Sequence, residues 1–320
     1  MSGPPGLVIR SITDDADLEV LVEITRTTSP EAPTSLEEIH WSDATYPGAV
    51  RFLAEMDGRA VGAATVARIY MYPPEFQALW ASVGVVPEAR RAGIGERLLR
   101  AISEVARERG KTELYIRCAA DRPDAVDFLV RRAFSELERS KMVRLELGGL
   151  TAPAVTPPPG IAFTTLAARP DLVDGVHAVA LEAIPDVPGG DEPMVVGDLA
   201  EFRARDIDRR SVPKDAFFVA VDMGSGHAVG YACLLMQAGS TTVAYHDMTA
   251  VLRAYRGRGI ARELKHATID WAIRTGLTAL ETGNDEANAP MRAVNARLGY
   301  KPMPDEVVMR GPLFGGIMTR

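Results

Sequence analysis

The chain carries the same unusual segment twice. Residues 85–99 read VVPEARRAGIGERLL, and residues 251–265 read VLRAYRGRGIARELK. Each is a run of strand-forming residues, then a basic glycine-containing loop, then an amphipathic helix. In the first copy Leu98, Leu99, Ile102, Val105 and Ala106 fall on one helical face. Gly110 and Gly276 follow the two helices as stop signals. A repeat of this size requires two domains of one fold.

The flanking sequence repeats as well. Gly6-Leu7-Val8-Ile9-Arg10 and Gly160-Ile161-Ala162-Phe163-Thr164 each open a half and precede a helix-like run. Hairpin signatures follow at 51–66, around Asp57-Gly58, and at 217–235, around Gly224-Ser225-Gly226. Further strands are expected at 79–86, 113–118, 242–252 and 277–282. The spacing between halves is 154 residues at Gly6 and Gly160 but 166 at Arg90 and Arg256. The second half therefore holds about twelve additional residues, expected in the Pro/Gly-rich stretch 185–193. Residues 151–160, TAPAVTPPPG, read as an extended connector. The expected organisation is an N-terminal domain over 1–150, a linker over 151–160 and a C-terminal domain over 161–320. Each domain is α/β, a central mixed sheet flanked by helices.

Composition narrows the classes of function. The 320 residues are 47% hydrophobic and 25% charged, which is ordinary globular usage. With 36 basic and 43 acidic residues the net charge is −7, which argues against a nucleic-acid-binding surface. Cys118 and Cys233 stand far apart in apolar runs, so neither a disulfide framework nor a cysteine metal site is expected. No apolar run approaches the roughly 18 residues of a membrane span. Met1-Ser2-Gly3-Pro4-Pro5 lacks the features of a signal peptide, so a cytoplasmic protein is expected.

The loops have the chemistry of a phosphate cradle. A helix N-terminus presents unpaired N–H groups and a partial positive charge, small residues let a diphosphate approach, and arginine adds charge. The shared pattern is Arg-x-x-Gly-x-Gly/Ala: Arg90, Gly93 and Gly95, then Arg256, Gly259 and Ala261. A nucleotide P-loop is absent, and the third glycine of a dinucleotide fingerprint is missing in both copies. One such loop is also what a plain strand-to-helix turn looks like. Two copies in the same context favour the cradle.

This pattern resembles motif A of the GNAT superfamily, the acyl-CoA-dependent N-acyltransferases. The resemblance spans both halves and gives a tandem layout similar to mycothiol synthases and to uncharacterised tandem acetyltransferases. It implies acetyl-CoA as acyl donor. Its diphosphate would lie on the amides of Arg90, Arg91, Ala92, Gly93, Ile94 and Gly95, and of Arg256, Gly257, Arg258, Gly259, Ile260 and Ala261. Its pantetheine would run beside Val85 or Val251. Family members often continue with Asn-x-x-Ala-x-x-Leu-Tyr, where the Asn meets pantetheine and the Tyr protonates the thiolate. The second half keeps the first of these as Asn288 but has Asn295 for the Tyr. The first half has Arg122 and Leu129.

At the constant spacing of 166, His246-Asp247 aligns with Trp80-Ala81, and Glu281 with Tyr115. Only the second half then offers ionisable groups, so residues 161–320 are expected to be catalytic. Asp247, Glu281 and His246 are the candidate bases, with Asn295 placed to hydrogen-bond the thiolate. The expected reaction is direct acetyl transfer to a small-molecule amine in a ternary complex. A non-catalytic acyl-CoA sensor and a mycothiol synthase-like enzyme are the alternatives. Residues 1–50 hold nine acidic and two basic residues, and 151–215 hold eleven and six. An acidic wall containing Asp186, Asp191 and Glu192 is therefore expected to attract a cationic acceptor. No metal is expected, and the chain is expected to be a monomer or homodimer.

Overall fold

The computed structural model describes residues 6–190 and 192–315. The chain forms two compact units. Their limits differ from the expected 1–150 and 161–320. Unit 1 comprises residues up to Arg139 together with the segment from Pro304, and unit 2 comprises Ser140–Met303.

Unit 1 contains β1 (Leu7–Ser11), α1 (Asp15–Thr28), α2 (Leu36–Thr45), β2 (Val50–Met56), β3 (Arg59–Arg68), β4 (Ala78–Val85), α3 (Ile94–Glu108), β5 (Glu113–Ala119) and α4 (Pro123–Val130). Strand β6 (Ser135–Glu146) then leads into unit 2, where residues 140–146 join the sheet. Unit 2 continues with β7 (Ile161–Thr165), α5 (Val173–Ala183), the short α6 (Leu199–Phe202), β8 (Phe218–Asp222), β9 (Ala228–Met236), β10 (Val243–Val251), α7 (Ile260–Arg274), β11 (Ala279–Asp285), α8 (Ala289–Arg297) and β12 (Lys301–Pro302). The last strand, β13 (Glu306–Pro312), returns to unit 1.

Each unit has one mixed sheet. In unit 1 the order is β1-β2-β3-β4-β5-β13, and in unit 2 it is β7-β8-β9-β10-β11-β6, with β12 also on β6. The β4–β5 and β10–β11 pairs are parallel, and the other pairs in each order are antiparallel. Each sheet thus ends on a strand from the other half of the sequence. Nothing local in β6 or β13 tells either strand which sheet to complete. That is why the repeat suggested a cut near 150 while the chain exchanges strands.

Local chemistry explains the elements. Asp14 caps α1 by accepting from Asp17 N, and Ser35 caps α2 by accepting from Glu38 N. Asp57 and Gly58 both take positive φ, 52° and 77°, the geometry of a tight β2–β3 hairpin. Helix α3 buries Ile94, Leu98, Leu99, Ile102 and Ala106 against the unit 1 sheet, where Val307 and Met309 of β13 join the same core. Cys118 and Cys233 are free and buried. Among the described residues no helix is long and apolar enough to cross a membrane, and no cluster of potential metal ligands occurs.

Candidate active site

The two loops have nearly the same backbone. Gly93 and Gly259 are the N-caps of α3 and α7, with φ of 80° and 85°. Gly257 has φ 76°, and its counterpart Arg91 has φ 67°, a costly conformation for a residue with a Cβ. Arg90 Nε donates to Val85 O at 3.1 Å, and Arg256 Nε donates to Val251 O at 3.0 Å. These bonds tie each loop to the end of its strand. Among the described residues no acceptor takes the backbone N–H of residues 91–96 or 257–262. Six consecutive N–H groups therefore stand unpaired at each helix N-terminus, the kind of site that takes an anion. A Cβ on Gly93 or Gly257 would meet no atom within 4 Å, so the space above those two backbones is open. The residues present fit a diphosphate. Ala92, Ile94 and Gly95, and Arg258, Ile260 and Ala261, complete the two loops, and Arg258 lies over the Tyr255 ring at 4.7 Å.

Beside each loop the sheet opens. Strand β10 pairs with β11 only at Val243, Ala244 and Tyr245, although β10 continues to Val251 and β11 to Asp285. Strands β4 and β5 pair at Ala78–Ala81 and then part in the same way. Each parting leaves strand backbone free to meet an extended ligand that reaches in from the loop.

The strands differ in one residue. Against β9, the register of β10 shifts between His246 and Thr249, so Asp247 and Met248 form a bulge. Strand β4 runs along β3 with no shift. Structurally, His246 faces Leu234 as Ala81 faces Val66, and Thr249 faces Ala232 as Val83 faces Ala64. The extra residue lies in the bulge, so the constant-spacing match of His246-Asp247 to Trp80-Ala81 is out by one place. Bulges re-aim side chains and are frequent next to active sites.

Asp247 is exposed as a residue, while the protein around its carboxyl desolvates that group. That desolvation, reinforced by the like charge of Asp206, pushes it up to about 6, against the opposing pull of Arg209 and Arg205. Cys233 Sγ lies 4.0 Å from Asp247 Oδ2. Asp206, on the turn after α6, is held by Arg205 Nε at 2.8 Å, and burial raises it too. Asp206 and its neighbours carried no motif and were invisible in the sequence.

The other expected residues sit elsewhere. His246 is buried, with Nδ1 3.4 Å from Tyr300 Oη and Nε2 3.4 Å from Thr249 Oγ1. Burial and the nearby Lys265 hold its ring well below the usual histidine range, so it is a neutral structural group rather than an accessible base. Glu281 is ion-paired to Arg144 of β6. Asn288 uses Oδ1 to cap α8, accepting from Met291 N at 3.3 Å. Asn295 is buried and donates Nδ2 to Asn284 Oδ1 at 2.6 Å, while its own Oδ1 has no hydrogen-bond partner. Asp186, expected in the acceptor wall, lies instead against the phosphate loop. It pairs with Arg253 at 2.5 Å and Arg256 at 2.8 Å, and chiefly Arg253, then Arg256, pull its carboxyl down to about 2. Two arginines one turn apart capture the nearest carboxylate, so Asp186 orients Arg256 and is not available to a cationic acceptor. Glu192 is exposed on a bend, and Asp191 lies outside the described residues.

In unit 1 the corresponding cleft is filled differently. Arg122 reaches Thr28 O, with Glu31 at 3.3 Å. A Cβ at Gly95 would lie 3.3 Å from the Phe128 ring, and the Arg132 guanidinium stacks 3.8 Å over that ring while pairing with Glu96 at 3.1 Å. The first turn of α3 thus carries the acidic Glu96 where α7 carries Arg262.

Comparison with known proteins agrees with this geometry. No curated protein matches the sequence. Among solved structures, a GCN5-related N-acetyltransferase from Sphaerobacter thermophilus superposes with a TM-score of 0.77 at 19% identity, covering 99% of this chain and 98% of that one. A tandem GNAT protein from the clavulanic acid biosynthesis pathway gives 0.76 at 21% identity, over 97% and 99%. An acetyltransferase of the GNAT family from Colwellia psychrerythraea gives 0.62 at 15% identity, over 96% and 99%. These likenesses establish the shared fold. The profile of the acetyltransferase (GNAT) family matches residues 18–134 and again 184–300, one copy in each half. The chain belongs to the acetyltransferase (GNAT) family and carries two copies of the family's domain in tandem.

Proposed function

We propose that unit 2 transfers an acyl group from an acyl-CoA directly to a small-molecule amine, with Asp247 as the general base. One observation carries this reading: a carboxylate with a pKa of about 6 stands on a strand bulge at an exposed residue, in the same unit as a phosphate cradle of six unpaired N–H groups. Acetyl-CoA is the reference donor the family implies.

The acceptor arrives as an ammonium and gives a proton to Asp247 Oδ, directly or through one water. A carboxylate with a pKa near 6 is largely ionised at pH 7 and still basic enough to assist. The freed amine attacks the thioester carbonyl, the C–N bond forms, and the tetrahedral oxyanion is met by a backbone N–H on the splayed part of β10. The C–S bond then breaks, and the extra proton on the new amide nitrogen passes to the departing thiolate, directly or through water, so that CoA leaves as the thiol. Thiolate is a tolerable leaving group, so the absence of a tyrosine at Asn295 does not block turnover.

Unit 1 supports a second role. It keeps the cradle, has Ser82 alone in place of the bulge, and offers no carboxylate there. Binding without catalysis fits that unit. A free-thiol assay with acetyl-CoA and a panel of small amines tests the whole. Turnover that survives Asp247→Asn undiminished rejects Asp247 as base, and absence of thiol release with every amine favours a binding protein.

A further inference from the structure

On the opposite face of the unit 2 sheet from Asp247, the core is polar where unit 1 is oily. Lys265 of α7 stands where α3 has Leu99, and Thr268 where it has Ile102. His246 and Thr249 of β10 replace Ala81 and Val83. Asn295 replaces Leu129, and Tyr300 replaces Phe134. All six unit 1 counterparts pack in or against one apolar cluster.

The polar set lies beneath the parted strands. Tyr245 is the last β10 residue paired with β11, and His246 is the next. Thr282 Oγ1 reaches across to His246 O at 2.9 Å. The imidazole meets Tyr300, Thr249 and Thr268 at 3.4–3.5 Å, long bonds that leave it weakly held. Lys265 is only 2% exposed. Its Nζ lies 5.5 Å from the Tyr300 ring centre, and among the described residues no carboxylate or other acceptor takes it. Burial drives it down to about 7. Burying an ammonium without an anion costs several kcal/mol. In the same core Asn295 Oδ1 is buried with no hydrogen-bond partner.

We propose that this polar floor receives the acyl end of the donor, and that the preferred donor is a dicarboxylic acyl-CoA whose distal carboxylate meets Lys265 Nζ. The inference rests on the proposed acyl-CoA site in unit 2. It narrows the donor class. An acetyl group would leave Lys265 without a partner. A four-carbon acyl chain ending in carboxylate brings the missing charge.

Calorimetry on the full chain with CoA, acetyl-CoA and succinyl-CoA tests this. Succinyl-CoA is expected to bind at least tenfold more tightly than acetyl-CoA at pH 8. Its binding is also expected to take up a proton, seen as a buffer-dependent enthalpy, because the carboxylate restores the ammonium form of Lys265. In Lys265→Met the preference is expected to fall below threefold and the proton uptake to vanish, with CoA affinity unchanged. Thr268→Val, a near-isosteric change, is expected to reduce the preference partly. Equal binding of the two donors by the unmodified chain, or a preference that survives Lys265→Met, overturns the proposal. If CoA itself fails to bind, the acyl-CoA reading of unit 2 fails first and the donor proposal falls with it.

Discussion

Unit 1 and unit 2 build their loops from the same φ values, the same run of six free N–H groups and the same arginine-to-carbonyl bond. Next to those loops they part company. Strand β4 is regular and flanked by an apolar core, whereas β10 holds a bulge with Asp247 on one face and a polar cluster on the other. A phosphate cradle is made of backbone and survives with very few fixed side chains. Acid–base chemistry needs particular side chains at a particular place, and here one inserted residue changes the strand. The two units therefore share one loop geometry, and on the proposed reading the reactive groups are left to unit 2.

The largest effect should come from removing the feature unit 1 lacks. Asp247→Asn keeps size and polarity but cannot take a proton. It should lower kcat/KM by about 10² or more, the usual range for a general base. In the unmodified enzyme, kcat/KM should rise with pH through about 6, because only the ionised carboxylate is active, and the Asn variant should lose that limb. A pH–rate profile with no inflection between 5 and 7 would remove the contrast between the units.

The next largest effect concerns the polar core. Lys265 has its pKa lowered from 10.5 to about 7. The unfolded chain then binds more protons than the folded one between those values, so stability should rise as pH increases from about 7 toward 10. Every tenfold loss of proton affinity on folding corresponds to about 1.4 kcal/mol. Lys265→Met should therefore stabilise unit 2 by several kcal/mol at pH 7 and by little at pH 10, measured by chemical denaturation. The equivalent change in unit 1, Leu99→Met, should cost under about 1.5 kcal/mol and show no pH dependence.

A smaller effect tests the strand exchange. Met309 belongs to the C-terminal end of the sequence but packs in the unit 1 core beside Leu98 and Ile116. Met309→Ala should destabilise unit 1 by about 2–4 kcal/mol. Amide exchange should accelerate in β5, where Met309 pairs with Ile116, and leave β10 unchanged. Faster exchange confined to β11 would contradict the exchanged arrangement.

Much of this was legible in the residues. Period-2 and period-3.6 patterns located the hairpins, and glycines in Arg-x-x-Gly-x-Gly/Ala located both cradles, because those features are local. The bulge was hidden: a single spacing of 166 cannot show one residue inserted inside a strand and offset elsewhere. Asp186 was misplaced because composition reveals an acidic segment but not that Arg253 and Arg256 face it. Lys265 reads as an ordinary helix residue until Leu99 is found at its counterpart inside a core. The strand exchange left no trace, since nothing in the local pattern of β6 or β13 names the sheet each completes.

The smallest expected difference lies between the two cradles. Arg256→Glu removes the charge beside the diphosphate, breaks the bond to Val251 O and sets a new carboxylate against Asp186. Gly259→Val forces a branched side chain into φ 85° at the helix N-cap. Either should weaken CoA binding at unit 2 at least tenfold, about 1.4 kcal/mol. Arg90→Glu makes the same change in unit 1, where Glu96 already places negative charge in the first turn of α3 and Phe128 crowds Gly95. Affinity at that loop should start lower, so its loss should be smaller and turnover should fall by less than about threefold. Calorimetry that resolves two CoA sites, with Arg256→Glu abolishing the tighter one and Arg90→Glu the weaker, would sharpen the division of labour. Equal losses from the two changes would instead make both cradles equivalent, and the asymmetry would then reside in the strands and the core alone.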